Sequence, residues 1–190
     1  FVKELSESSQ SQGTYQIVDE VQTAMRRTGK LFSFEHYDIE PDIFTLAKGL
    51  ANGVPVGAML AKSSLGSAFS YGSHGSTFGG NKLAMAAASA TLDVLKTPEF
   101  LKESMEKGIY LQEQLRHALA DKVSVTQVRG LGSMIGIETT ACLTDLVKAM
   151  REKGLIVLTA GTNVIRLLPP LTLSKEEMDK GVSILASVFF

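Results

Sequence analysis

Asp19 and Lys48 each close a short apolar run: Tyr15-Gln16-Ile17-Val18-Asp19, and Asp42-Ile43-Phe44-Thr45-Leu46-Ala47-Lys48, followed at once by Gly49. Runs of this length and composition read as strands buried in a sheet. In an open α/β sheet the carboxyl ends of the strands face the crevice where ligands bind, so both side chains are delivered there. A lysine and an acid in that place suit pyridoxal phosphate: the amine attaches it covalently, and the carboxylate keeps its ring nitrogen protonated. An amine buried beside an apolar strand is costly as a cation, which makes it a usable nucleophile. On these two residues alone, a structural ion pair at the strand ends fits equally well.

Two further groups have chemical potential. Ser76-Thr77 precedes Gly79-Gly80-Asn81 and a helix start, where free N–H groups, hydroxyls and the helix dipole make an anion site; simple capping needs the same residue types. Arg166 interrupts the apolar strand Val164-Ile165-Arg166-Leu167-Leu168, and a guanidinium there calls for a carboxylate, either a ligand's or a structural partner's. Other features are discounted. In Gly130-Leu131-Gly132-Ser133-Met134-Ile135-Gly136 the third glycine falls one place too late for a dinucleotide fingerprint. His36, His74 and His117 are scattered without metal spacing.

The elements that must position these residues fall into two halves. Strands are expected at 15–19, 43–46 and 56–61, with a long irregular segment, 25–42, between the first two. Its length marks a loop that carries function. A small-residue helix follows over 83–95, and Thr97-Pro98-Glu99 breaks it and caps another helix running to about 122. Beyond lie strands at 123–128 and 134–138, a helix at 143–153, strands at 155–158 and 164–168, and a last helix opened by the capping box Ser174-Lys175-Glu176-Glu177. The turn at Thr97 is the expected domain boundary, giving domains 1–96 and 97–190.

With 44% hydrophobic and 21% charged residues, the 190-residue chain is able to bury a real core. A net charge of −1 gives no reason to expect nucleic acid or an anionic membrane surface as partner. The single cysteine, Cys142, cannot form an internal disulfide or a Cys-based zinc site. No apolar stretch reaches the roughly 18 residues of a membrane span, so a cytoplasmic location is expected.

Asp19-Glu20-Val21-Gln22-Thr23, Arg27-Thr28-Gly29-Lys30, Pro41-Asp42-Ile43, Leu46-Ala47-Lys48-Gly49 and Gly75-Ser76-Thr77-Phe78-Gly79-Gly80-Asn81, in that order, resemble the class III (subgroup II) pyridoxal-phosphate aminotransferases. The likeness runs from the first residues to the last helix, and the ordered set is far more specific than any one piece. It implies an α/β fold of type I: part of a large, mostly parallel cofactor domain, then a small α+β domain. It also implies that the chain is a C-terminal portion, since the family is about twice as long. Pyridoxal 5'-phosphate is the implied cofactor. By resemblance Lys48 holds it, Asp19 pairs with its ring nitrogen, and Gln22 contacts its phenolic oxygen. Ser76 and Thr77 take its phosphate, Thr77 across a homodimer interface, and Arg166 receives a substrate carboxylate. The implied reaction is amino transfer from N2-acetyl-L-ornithine to 2-oxoglutarate in arginine biosynthesis. Ornithine, succinylornithine and 4-aminobutyrate remain alternative donors, and a non-catalytic binding or assembly fragment is a further alternative. The chain departs from the family at Ala24 and Arg26, where glycines are usual and would permit unusual backbone angles.

Overall fold

The first two apolar runs pair side by side. In the computed structural model, which describes residues 1–190, β1 (Ile17–Asp19) lies parallel to β2 (Ile43–Leu46), with Ile17 opposite Ile43 and Asp19 opposite Thr45. β3 (Ala58–Ala61) runs antiparallel on the other side of β2. A parallel pair cannot close through a tight turn, which is why the long 20–42 segment separates the two strands. Asp42 fixes their start. Its Oδ2 accepts from the Gln16 amide at 2.8 Å, and its Oδ1 meets Lys62 Nζ, just past β3, at 3.0 Å. These two contacts, the amide first, hold the Asp42 carboxyl below the usual range.

The chain divides into two compact units: Phe1–Arg26 with Lys30–Phe100, and Arg27–Gly29 with Leu101–Phe190. The first unit holds α1 (Val2–Ser11), the three strands and α2 (Lys82–Leu95). α2 buries Ala84, Ala88 and Leu95, small side chains that let it pack closely on the Lys48–Ala51 turn. The segment between β1 and β2 is more ordered than its polar composition suggests. It contains a 3-10 turn, Ser33–Tyr37, and Phe32 and Phe34 both pack on Phe44 of β2, at 5.1 and 5.3 Å between ring centroids.

The second unit is an antiparallel sheet in the order β4-β5-β7-β6, covered by helices. Its strands are β4 (Val125–Leu131), β5 (Met134–Thr139), β6 (Leu158–Ala160) and β7 (Val164–Leu167). Its helices are α3 (Pro98–Ala118, whose first residues belong to the first unit), α4 (Leu143–Glu152) and α5 (Lys175–Ala186). Along β5 the residues Ile135, Ile137 and Thr139 are buried and their neighbours are not, the period-2 pattern of a sheet with one covered face. Ile135 and Ile137 join Leu111, Leu115, Met150, Ile165, Met178 and Leu185 in one core. The capping box of α5 forms as expected, with Ser174 Oγ accepting from Glu177 and Glu177 Oε2 accepting from Ser174.

Three expectations shift. β4 continues through Arg129, Gly130 and Leu131, because these residues pair with Gly136, Ile135 and Met134 up to a tight turn at Gly132-Ser133. β6 begins only at Leu158, the residue that meets β7 at Arg166; Leu155 to Val157 precede the ladder. α3 ends at Ala118, short of 122. No helix is long and apolar enough to cross a membrane.

Candidate active site

Asp19 and Glu20 are adjacent at the end of β1, so strand alternation sends their carboxylates to opposite faces. Glu20 turns inward and is 1% exposed. It accepts from Ser33 Oγ at 2.7 Å, from the Phe34 amide at 3.0 Å and from the Thr23 hydroxyl, which fastens the start and the middle of the β1–β2 segment to one buried carboxyl. Asp19 turns outward and is exposed. Its Oδ1 accepts from the Val21 amide at 2.9 Å and from Thr45 Oγ1 at 3.1 Å. The Val21 N–H first and then the Thr45 hydroxyl hold this carboxyl below its ordinary range; desolvation opposes them, and the charge of Lys48 adds a lesser downward pull. The result is an anion fixed in place and open to a cationic partner.

Lys48 stands two residues beyond Leu46, whose pairing with Ala58 ends the β2–β3 ladder. Contrary to expectation it is exposed, not buried. The reason is local: its φ of +46° turns the chain sharply into the Lys48–Ala51 turn, whose buried members are Leu50 and Ala51. A lysine in the left-handed region is strained, and such strain collects at functional sites. Gly49 behind it sits against Met25, where an added Cβ would lie 3.3 Å from the Met25 Cβ. Met25 itself has φ +58° and Arg26 φ +64°. A glycine would therefore suit position 26 on conformational grounds, whereas Ala24 has no positive φ and is simply buried.

The structure thus brings Asp19, Thr45 and Lys48 together, with Gln22 half-buried in the turn that follows β1. Ser76 and Thr77 are exposed in the segment before α2. They do not cap that helix. Asn81 does, its Oδ1 accepting from the Ala84 amide at 2.9 Å. Arg166 belongs to the second unit, half-buried on β7 opposite Gly136 on one side and Leu158 on the other.

Sequence reasoning passed over two charged residues within the quoted motifs. Glu20 is the first; its signal is its place one residue after Asp19, on the opposite face of the strand. Arg27 is the second, and it packs with the second unit. Its Nη1 donates to the Pro169 carbonyl at 2.5 Å and approaches the Ser133 carbonyl at 3.5 Å.

The class-III aminotransferase family profile matches residues 1–189. The chain belongs to the class-III aminotransferases. It is 68% identical over 189 residues to the acetylornithine aminotransferase of Streptococcus mutans, covering all of this chain and 50% of that protein. To the acetylornithine aminotransferase of Lactococcus lactis it is 51% identical, over 99% of this chain and 50% of that one. Among solved structures, the acetylornithine aminotransferase of Elizabethkingia anophelis superposes with a TM-score of 0.90 at 35% identity, over 98% of this chain and 50% of that one. The ornithine aminotransferase of Toxoplasma gondii gives 0.92 at 33% identity, over 99% and 46%. The chain spans about half the length of the relatives it matches.

Proposed function

We propose that this chain forms the lysine-bearing half of a pyridoxal-phosphate aminotransferase that moves an amino group from N2-acetyl-L-ornithine to 2-oxoglutarate. The products are N-acetyl-L-glutamate 5-semialdehyde and L-glutamate, in the arginine biosynthesis of the cytoplasm. The observation that carries this reading is Asp19: an exposed carboxylate kept ionised by Val21 and Thr45, with the charge of Lys48 acting on it from the next strand end. The 68% identity to the Streptococcus mutans acetylornithine aminotransferase supports the choice of donor.

These residues fit the cofactor. Pyridoxal phosphate, when bound, supplies a cationic ring that draws off the electron pair left as a substrate C–H bond breaks. Asp19 is the anion that keeps the ring nitrogen protonated, and its two hydrogen bonds keep it from taking that proton itself. Lys48 Nζ would be the point of covalent attachment, and its amine would serve as the base that holds and moves a proton at the reacting carbon. Gln22 would contact the phenolic oxygen. Ser76 and Thr77 bind the phosphate, and because they are exposed and leave the capping of α2 to Asn81, their hydroxyls remain available to the second subunit of a homodimer. Arg166 takes the substrate's α-carboxylate through its planar fork. Residues 1–96 are the later part of the large cofactor domain and 97–190 the small domain.

Borohydride reduction of the cofactor-loaded, full-length protein followed by peptide mass mapping tests the assignment. A pyridoxyl mass on Lys48 is expected, and an adduct on Lys62 or Lys82 overturns it. A second reading, ornithine as donor, draws on the likeness to the Toxoplasma gondii ornithine aminotransferase. Faster turnover of ornithine than of N2-acetyl-L-ornithine would establish it instead.

A further inference from the structure

The sequence motif Arg27-Thr28-Gly29 leaves the first unit and packs with the second, where three contacts define it. The Arg27 carbonyl accepts from the Ser133 amide at 2.9 Å. Arg27 Nη1 reaches the Ser133 carbonyl at 3.5 Å and the Pro169 carbonyl at 2.5 Å. Gly132 lies so close behind that a Cβ there would come within 2.5 Å of the Thr28 carbonyl carbon. Arg27 forms no ion pair with a carboxylate, and burial pushes its guanidinium down from its ordinary value. A cation placed there at a cost in desolvation, bonded only to carbonyls, is there for what those carbonyls belong to.

Both carbonyls lead to Arg166. Ser133 is the turn residue before β5, and three residues on Gly136 pairs with Arg166. Pro169 is three residues past Arg166, beyond the end of the ladder at Leu167. No strand pairing holds the chain there, and the Pro169 carbonyl is fixed by Arg27. We propose that Arg27 is a positioning residue: by tying the Ser133 turn to the Pro169 carbonyl it sets the end of β7, and with it the direction in which the Arg166 guanidinium meets the substrate's carboxylate. This rests on the reading of Arg166 given above.

The test uses the full-length holoenzyme with Arg27→Lys, Arg27→Met, Arg166→Lys and the double variant Arg27→Met/Arg166→Lys. Four quantities are read: glutarate affinity by visible-spectrum titration, KM for 2-oxoglutarate, kcat, and the thermal midpoint. Arg27→Lys and Arg27→Met are expected to raise the glutarate Kd and the 2-oxoglutarate KM roughly tenfold, with kcat within about twofold, because a misdirected fork weakens binding rather than chemistry. The double variant should bind glutarate no more weakly than Arg166→Lys alone, since Arg27 acts through Arg166. Additive losses, or a fall in the thermal midpoint with glutarate binding unchanged in Arg27→Lys, overturn the proposal. If Arg27→Met does not fold, Arg27→Lys alone decides. An Arg166→Lys protein that binds glutarate normally refutes the role of Arg166 itself, and the proposal falls with it.

Discussion

Asp19 and Thr45 are register partners across the parallel pair β1–β2, and the Thr45 hydroxyl donates to Asp19 Oδ1 at 3.1 Å. The parallel pairing therefore does more than build a sheet. It places a donor beside the Asp19 carboxylate and helps hold it below its ordinary range.

Thr45→Val keeps the shape of the strand and removes that donor, leaving the Val21 amide as the main cause of the depressed carboxyl. The Asp19 pKa should move up toward the ordinary value of about 3.9. The sign follows from the depression: a lowered carboxyl contributes stability above its unfolded value and loses it as pH falls through the folded one. In the variant that loss should be smaller and should be complete at a higher pH. Carboxyl-carbon NMR titration of both proteins reads it directly, and an unmoved Asp19 would refute the role given to Thr45.

Glu20 offers a test of the β1–β2 segment. Glu20→Ala strips the partner from the Ser33 hydroxyl, the Phe34 amide and the Thr23 hydroxyl at a site 1% exposed. Stranding buried donors costs about 1–3 kcal/mol, so the thermal midpoint should fall by several degrees. Hydrogen exchange should locate the damage, with protection lost first at the Phe34 amide. Glu20→Gln retains an acceptor oxygen and should lose less. Equal exchange at Phe34 in all three proteins would contradict this account.

Much of this was legible in the sequence, for stated physical reasons. The two apolar runs announced β1 and β2, Ser174 and Glu177 announced the start of α5, and the ordered motifs announced the family. What was not legible depended on backbone angles and on long-range partners. Lys48 looks buried because the run before it is apolar; a φ of +46° instead turns it outward. Ser76 and Thr77 have the residue types of caps as well as of an anion site, and only the distance from Asn81 Oδ1 to the Ala84 amide shows that Asn81 caps α2. Arg27 is linked to Pro169 across 142 positions, a separation no local pattern encodes.

Arg26 shows a replacement with its own compensation. It holds φ +64°, which costs a non-glycine residue about 1–2 kcal/mol, yet its Nε donates to the Leu95 carbonyl at 3.0 Å, at the C-terminal end of α2. Arg26→Ala keeps the strain and loses the bond, and should destabilise by about 1 kcal/mol. Arg26→Gly loses the bond but relieves the strain, and should fall closer to the parent protein. Urea midpoints give the ranking, and an alanine variant more stable than the glycine one would reverse it.

Tyr110 supplies an alkaline counterpart. Its hydroxyl donates to Asp179 Oδ1 at 2.6 Å, and Lys175 Nζ lies 5.0 Å from its ring centroid. The bond to Asp179 first, then desolvation and the charges of Asp179 and Glu176, push the phenol above its ordinary value. A raised phenol contributes stability fully below its unfolded pKa of about 10, and loses it as pH rises through the folded one. Tyr110→Phe should therefore show a flatter loss of stability in strong alkali than the parent. The difference in tyrosinate absorbance between the two proteins should appear late in the titration; an early appearance would mean that Asp179 does not hold this proton.

Gly132 and Gly161 share a left-handed φ, +57° and +58°, and differ in their surroundings. At Gly161 an added Cβ meets nothing within 4 Å. Gly161→Ala should therefore cost only the left-handed penalty of about 1–2 kcal/mol. At Gly132 the same Cβ would come within 2.5 Å of the Thr28 carbonyl carbon and 2.7 Å of the Gly29 nitrogen, and both are backbone that cannot swing aside. On the other side Gly108 of α3 leaves no slack, since its own Cβ would lie 2.7 Å from the Gly132 carbonyl carbon. The Gln112 amide also fixes the Gly132 carbonyl, at 2.8 Å. Gly132→Ala must then push the Arg27–Gly29 segment away, adding about 1–3 kcal/mol of overpacking to the same conformational penalty. The two variants should differ by that second amount in urea midpoints, and only Gly132→Ala should also raise the KM for 2-oxoglutarate, because displacing the segment moves Arg27. Equal destabilisation at both positions, with unchanged KM, would show that the contact between Gly132 and Thr28 is not tight in solution.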